Sequence, residues 1–140
     1  MLITVMIIVI RKESVMKYSR QREALLTLLR STRSHPTADW LYTELRKEFP
    51  NISLGTVYRN LGVLAANDDI LVLNVCDGKD CFDGFTHNHY HFVCSSCGCV
   101  SDVELSFPVD INAEVNKLTG NNVKKHSLFF HGTCQSCINE

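Results

Sequence analysis

The stretch Phe49-Pro50-Asn51-Ile52-Ser53-Leu54-Gly55-Thr56-Val57-Tyr58-Arg59-Asn60-Leu61 decides how the first half of this 140-residue chain folds. Pro50 disfavours helix in the residue before it, so a helix has to end near Phe49. Ser53 offers a side-chain oxygen to cap a new helix, running from Leu54 to about Ala66. Val57, Leu61 and Leu64 recur at helical spacing and give that helix one apolar stripe. Working backwards, Thr37 caps a helix over Ala38–Glu48, with Leu41, Leu45 and Phe49 facing inward. The polar run Ser31–Pro36 separates it from an earlier helix, capped by Ser19 and ending at Arg30, whose apolar face is Ala24, Leu25, Leu28 and Leu29. Two helices joined by a short Pro-Asn turn are a helix-turn-helix. Working forwards, Asn67-Asp68-Asp69 ends the third helix. Ile70–Val75 reads as a strand, Cys76–Asp80 as a turn and Cys81-Phe82-Asp83 as the partner strand. A hairpin placed directly after the second helix of such a pair makes the arrangement a winged helix-turn-helix.

The second half has a different character. His89–Cys94 alternates like a strand, Val100–Leu105 is another, and Val109–Leu118 is a short helix with Gly120 where a left-handed cap would sit. Val123–His131 reads as a third strand. The whole is an α+β fold, with a boundary near Gly84–Asn88.

Composition supports two modules. Apolar residues make up 45% of the chain, enough for a packed core without disulfides. The net charge of −1 conceals an asymmetry. Residues 1–68 hold ten Lys/Arg against six Asp/Glu, and residues 69–140 hold four against nine. A basic half beside an acidic half suggests a polyanion-binding module joined to something else, the alternative being an unevenly charged solvated surface. Met1–Ile10 is almost purely apolar but too short to span a bilayer, which takes roughly 20 residues. It has no basic segment before it and no small-residue cleavage site after it, so neither a signal peptide nor a membrane partner is expected. Met16 opens a more ordinary start. Met1–Val15 is therefore read as a non-native or disordered upstream extension, the alternative being a genuine strand or helix.

All seven cysteines, and five of the six histidines, follow residue 75. An odd cysteine count argues against a fully paired disulfide framework, and metal binding in a reducing cytoplasm fits better. Cys94-Ser95-Ser96-Cys97 and Cys134-Gln135-Ser136-Cys137 are two C-x-x-C pairs with 36 residues between them. Each pair can place two thiolates on one ion, and two pairs complete a tetrahedron of Zn²⁺ ligands with no open position, which is a structural site. Redox motifs or an iron site are the alternatives. Redox chemistry is disfavoured because both pairs lie at strand ends rather than opening a helix. Cys76, Cys81 and Cys99 are read as buried, inert thiols, although a spare thiol beside the zinc turn could be oxidised.

A second group, His35, Asp83, His87, His89, His91, Asp102 and Glu104, is rich in nitrogen and oxygen. His89 and His91 are two apart on a strand and share one face. Imidazole with carboxylate suits iron, manganese or zinc, whereas any single histidine here could be an ordinary surface or core residue.

These residues carry a resemblance. His35-Pro36-Thr37-Ala38-Asp39, the Ser53–Leu61 stretch, His89-Tyr90-His91-Phe92-Val93-Cys94-Ser95-Ser96-Cys97-Gly98 and the final C-x-x-C resemble the ferric uptake regulator (Fur) superfamily over roughly Tyr18 to Cys137. Within it the chain looks most like the peroxide-sensing, PerR-like branch. The reason is that Asp83 and Asp102 are both aspartates where the iron-sensing branch usually has glutamate. The resemblance implies a winged-helix DNA-binding domain over 16–84 and a C-terminal α/β dimerisation domain with a four-cysteine zinc site over 85–140. It implies a regulatory Fe²⁺ or Mn²⁺ held by His35, Asp83, His89, His91 and Asp102. It implies a cytoplasmic homodimer that represses transcription from a palindromic double-stranded DNA operator, with Arg59 on a guanine edge or a phosphate, Tyr58 on a thymine methyl, and Arg20 and Arg22 on phosphates, the alternative for these last two being a solvated helix start. With Fe²⁺ bound, peroxide oxidises a ligand, His35 or His89, and DNA is released; Mn²⁺ supports binding without that oxidation. His87, Glu104, His126 and His131 are a candidate third metal site, as in some relatives. The departures are Cys81, where the branch usually has a polar or basic residue, and Gly84, expected to loosen the strand after a ligand.

Rival readings remain at this point. One is an iron- or zinc-responsive repressor of metal uptake in the same superfamily. A second is a zinc hydrolase or thiol oxidoreductase, disfavoured because an enzyme has no need of Tyr58-Arg59 on a basic helix. A third is a zinc-ribbon module without DNA contact, disfavoured by the basic first half.

Overall fold

The computed structural model describes residues 20–76, 78–87 and 89–139, apart from the side chain of Cys76. The expected cap at Ser19 and the reading of Met1–Val15 lie outside these residues. The chain divides into two compact units between Thr86 and His87.

Among its described residues, the first unit is built on three helices and a hairpin. Helix α1 covers residues 20–30, α2 Ala38–Leu45 and α3 Leu54–Ala66. The caps are the expected ones. The Trp40 N–H donates to Thr37 Oγ1 at 3.4 Å, and the Thr56 N–H to Ser53 Oγ at 3.1 Å. Helix α2 stops three residues short of Glu48. The Lys47 and Glu48 amides bond three residues back, to Glu44 and Leu45. This tightening turns the chain out before Pro50, which cannot continue a helix. Strands β1 (Leu71–Cys76) and β2 (Lys79–Asp83) pair antiparallel, with Leu73 opposite Cys81 and Leu71 opposite Asp83. Leu25, Leu29, Leu41, Leu45, Val57, Leu61, Leu64, Ile70 and Phe82 share one buried core. Each such side chain contributes on the order of 1.5–3 kcal/mol relative to exposure. Gly84 corrects an expectation. It does not loosen the strand: a Cβ there would lie 2.7 Å from the Leu29 backbone carbon, so its hydrogen lets β2 run against α1.

The second unit is a three-stranded sheet with two helices. Strand β3 (Tyr90–Cys94) lies between β4 (Val100–Val103), antiparallel, and β5 (Phe129–Gly132), parallel. Helix α4 spans Ile111–Thr119, capped by Asp110, whose Oδ1 accepts from the Ala113 N–H, and closed by left-handed Gly120. Helix α5 is the single turn Gln135–Ile138. The expected strand from Val123 is much shorter, beginning at Phe129. A local side chain takes a backbone hydrogen bond that a ladder would use: the Val123 N–H donates to Asn116 Oδ1 at 2.7 Å. The His126 ring bonds the Asn112 side chain. Among the described residues, no helix is long and apolar enough to cross a membrane.

Candidate metal centres

The four cysteines of the two C-x-x-C pairs converge. Their Sγ atoms all lie within 4.8 Å of one another. Cys94 ends β3, the following turn closes with the Gly98 N–H on Cys94 O, and Gly98 sits at φ 75°. The Ser95 N–H donates to Gly132 O at 2.7 Å, tying this turn to the end of β5 and so to the second pair. Cys97 Sγ and Cys134 Sγ are 3.7 Å apart. Two ligands each about 2.3 Å from a tetrahedral ion stand about 3.8 Å apart, so the spacing fits Zn²⁺.

The electrostatics of the thiols fit a cation as well. The backbone N–H groups of Cys97 and then Cys134 point at Cys94 Sγ, at 3.4 and 3.3 Å, and hold its pKa down at about 5. Cys134 is lowered too, chiefly by the Cys137 N–H. Cys137 is pushed up to about 12, first by its hydrogen bond to Cys134. Crowded thiols divide into thiolates and thiols unless a cation lets all of them ionise, which is the chemistry a zinc ion supplies. Two expectations are corrected. The second pair does open a helix, since Cys134 is the N-cap of α5; the metal reading stands on the convergence of four sulfurs instead. Of the spare cysteines, Cys81 is buried but disulfide-bonded, not an inert free thiol, and Cys99 is exposed, not buried.

In the first unit, His35 Nε2 lies 3.3 Å from Asp83 Oδ2, with side chains 1% and 2% exposed. His35 adopts φ 53°, a left-handed conformation that few residues other than glycine take without strain. The Phe82 N–H bonds Pro36 O at 2.9 Å, and Thr37 bridges Cys81, so β2 holds the loop that carries His35. Asp83 Oδ1 accepts from the Phe85 N–H at 2.9 Å, which orients the carboxylate.

In the second unit, Asp102 stands opposite His91 in the β3–β4 ladder. Its Oδ1 lies 3.4 Å from His89 Nε2 and 3.6 Å from His91 Nε2. His89 Nδ1 donates to His87 O at 2.7 Å, so the lone pair of the neutral ring is on Nε2, facing the carboxylate. Two imidazole nitrogens and a carboxylate oxygen in one small space need a proton or a metal ion among them. Neither the His87 carbonyl that orients His89 nor the Phe85 amide that orients Asp83 was visible in the sequence.

The proposed third set does not assemble among the described residues. His87 Nε2 pairs with Glu104 at 3.2 Å, while His126 is held between Tyr90 Oη and Asn112 Oδ1, at 2.8 and 2.7 Å. His131 is exposed on β5. Of the DNA-contact candidates, Tyr58 and Arg59 are exposed neighbours on α3, with Arg59 Nη2 donating to Thr56 Oγ1 at 3.1 Å. Arg20 is exposed on α1, whereas Arg22 Nε reaches Asn60 Oδ1 at 3.3 Å and ties α1 to α3.

A winged helix-turn-helix followed by a four-thiol α+β unit defines the class of fold. The Ferric uptake regulator family profile matches residues 13–131, and the chain belongs to that family. The peroxide-responsive repressor PerR of Staphylococcus aureus strain USA300 is 35% identical over 126 residues, covering 90% of this chain and 85% of the relative. The crystal structure of the Campylobacter jejuni peroxide stress regulator superposes with TM-score 0.80 at 34% identity, covering 93% of this chain and 98% of that one. The Helicobacter pylori ferric uptake regulator Fur, at 22% identity, TM-score 0.69 and coverage of 94% and 91%, shares the fold.

Proposed function

We propose that this protein is a metal-dependent transcriptional repressor that senses peroxide by oxidation of its own histidine ligands and leaves DNA when oxidised. The observation that carries the reading is the presence of two ready-made ligand sets, His35 with Asp83, and His89 and His91 with Asp102. Both carboxylates are aspartates. The similarity to proteins named as peroxide regulators supports the same branch.

In this reading the five residues hold one Fe²⁺ or Mn²⁺, and Cys94, Cys97, Cys134 and Cys137 hold a structural Zn²⁺. Iron, when bound, supplies one-electron cleavage of a peroxide O–O bond, chemistry that manganese does not. One peroxide oxygen is inserted at a ring carbon of His35 or His89 and the other leaves as water, and the oxidised ring no longer offers its lone pair to the ion. Because the ligands come from both halves of the chain, metal binding favours one dimer geometry, and its free energy becomes free energy of DNA binding. Tyr58 and Arg59 on α3 read base edges in each half of a palindromic operator, with Arg20 and Arg22 on phosphates. The homodimer is supported by the apolar surface of the second unit, where Leu105, Phe107, Val109, Val115 and Leu118 are exposed. The chain acts in the cytoplasm as a regulator, not an enzyme.

The test is operator binding. DNA selected from a random pool with Mn²⁺-loaded protein should be bound with Mn²⁺ or Fe²⁺, released by chelator, and released by low-dose peroxide in the Fe²⁺ form only. Release by chelator with indifference to peroxide would transfer the reading to an iron- or zinc-responsive repressor of metal uptake.

A further inference from the structure

The loop that carries His35 and the strand end that carries Asp83 are joined a second time, by a contact outside the ligands. The Arg33 guanidinium lies over the Phe85 ring, 3.7 Å from its centroid. Phe85 is also the residue whose N–H bonds Asp83 Oδ1. Arg33 is two residues before His35, and Phe85 is two residues after Asp83. We propose that Arg33 and Phe85 form a clamp that presets the His35–Asp83 pair for its ion, making Arg33 a positioning residue for metal binding.

The argument is one of preorganisation. His35 is held at φ 53°, where the backbone relaxes unless its surroundings fix it. On the C-terminal side the loop is fixed by Pro36 O on the Phe82 N–H and by the Thr37–Cys81 bridge. On the N-terminal side Ser31 is bonded to Leu28 at the end of α1, and Thr32 to Ser34. The contact of Arg33 with Phe85 spans from that side to β2. Gly84, pressed against the Leu29 backbone, leaves Phe85 little room to swing away. Pulling Phe85 out of place would also remove the N–H that orients the Asp83 carboxylate. Arg33 thus reaches the ligand pair at both members, through the chain at His35 and through Phe85 at Asp83.

This rests on His35 and Asp83 being ligands, so two measurements on the full-length dimer separate the claims. The first needs no metal. Hydrogen exchange of the Phe82 and Phe85 amides in the chelator-treated protein should be about two- to five-fold faster in Arg33→Ala and in Phe85→Leu, the range of an exposed cation–π contact. Phe85→Tyr should keep the wild-type rate, and the double variant should be no faster than either single one. Wild-type exchange in Arg33→Ala overturns the clamp. The second is a titration with Mn²⁺ alone, read by the electron paramagnetic resonance of the free ion. Arg33→Ala should raise the midpoint by a similar two- to five-fold, with Arg33→Lys in between. Faster exchange with an unchanged midpoint overturns the positioning role. If His35→Ala binds Mn²⁺ like the wild type, the ligand assignment fails, and positioning with it, whereas the clamp still stands or falls on exchange.

Discussion

Cys97 Sγ and Cys134 Sγ stand 3.7 Å apart although 36 residues separate them in the chain. The turn after β3 and the turn of α5 are brought together by the β3–β5 pairing, by the Ser95 N–H on Gly132 O and by the Cys134 N–H on Cys94 Sγ. None of these offsets the crowding of four thiols, as a bound cation would. The second unit has little core to do so, since α4 buries no residue fully. Replacing Cys94 or Cys134 with Ser should therefore remove zinc and the stable dimer together. Structural zinc in small peptides supplies about 10–16 kcal/mol of apparent folding free energy. Zinc content by atomic absorption and mass by light scattering check this; a folded, dimeric, zinc-free variant would contradict a structural site.

Acid should empty the same site. Cys94 is lowered from the ordinary thiol value of 9.0 to about 5. A depressed folded pKa stabilises the native state above the unfolded value, and the gain is lost as pH falls through the folded one. Protons and zinc compete for the same sulfur. Zinc should thus be retained at neutral pH and released only in stronger acid than the metal-free thiolate's value of about 5, because the bound ion itself keeps the sulfurs ionised, measured with a colorimetric chelator. Loss of zinc already at neutral pH would contradict the assigned site.

Gly84 makes a prediction of the opposite sign to its sequence reading. Gly84→Ala would ordinarily stabilise by reducing the entropy of the unfolded chain. Here the new methyl meets Leu29 and Arg30 backbone atoms at 2.7–2.9 Å, and backbone cannot step aside. We expect a loss of about 1–3 kcal/mol, the usual range for overpacking, read from urea denaturation. A variant as stable as the wild type would show that β2 does not need this approach.

What could be read in the sequence follows from how local each signal is. Capping residues Thr37 and Ser53, the apolar stripes of α2 and α3, and the C-x-x-C pairs depend on neighbours a few residues away, and they mark what the structure shows. The shortening of α2 depends on backbone bonds that tighten its end, and that of β5 on a rival bond to the Asn116 side chain, neither of which spacing reveals. The roles of Gly84 and of the Phe85 amide depend on segments distant in the chain. The exposure of Cys99 and the disulfide at Cys81 were missed because spacing alone does not show which thiols are buried or paired. The candidate ligands could be proposed from the sequence, whereas the groups that orient their side chains could not.

The α3 surface yields a prediction about DNA. Arg59 is anchored by its bond to Thr56, with its charge on the exposed face beside Tyr58. Arg59→Ala should weaken selected operator DNA by about 1–3 kcal/mol and relax discrimination at one position. Arg20→Ala should weaken all sequences about equally and reduce the salt slope by about one. Fluorescence anisotropy across salt concentrations separates the two; unchanged affinity in Arg59→Ala would remove it from the interface.

The central claim is that ligand histidines are the sensing chemistry, and peptide mass spectrometry tests it most directly. Fe²⁺-loaded protein is exposed briefly to peroxide, digested and mapped, beside a Mn²⁺-loaded control. The account predicts one added oxygen on the peptide carrying His35 or His89, in the iron form alone. Unmodified histidines in protein that has nonetheless released its DNA would contradict it.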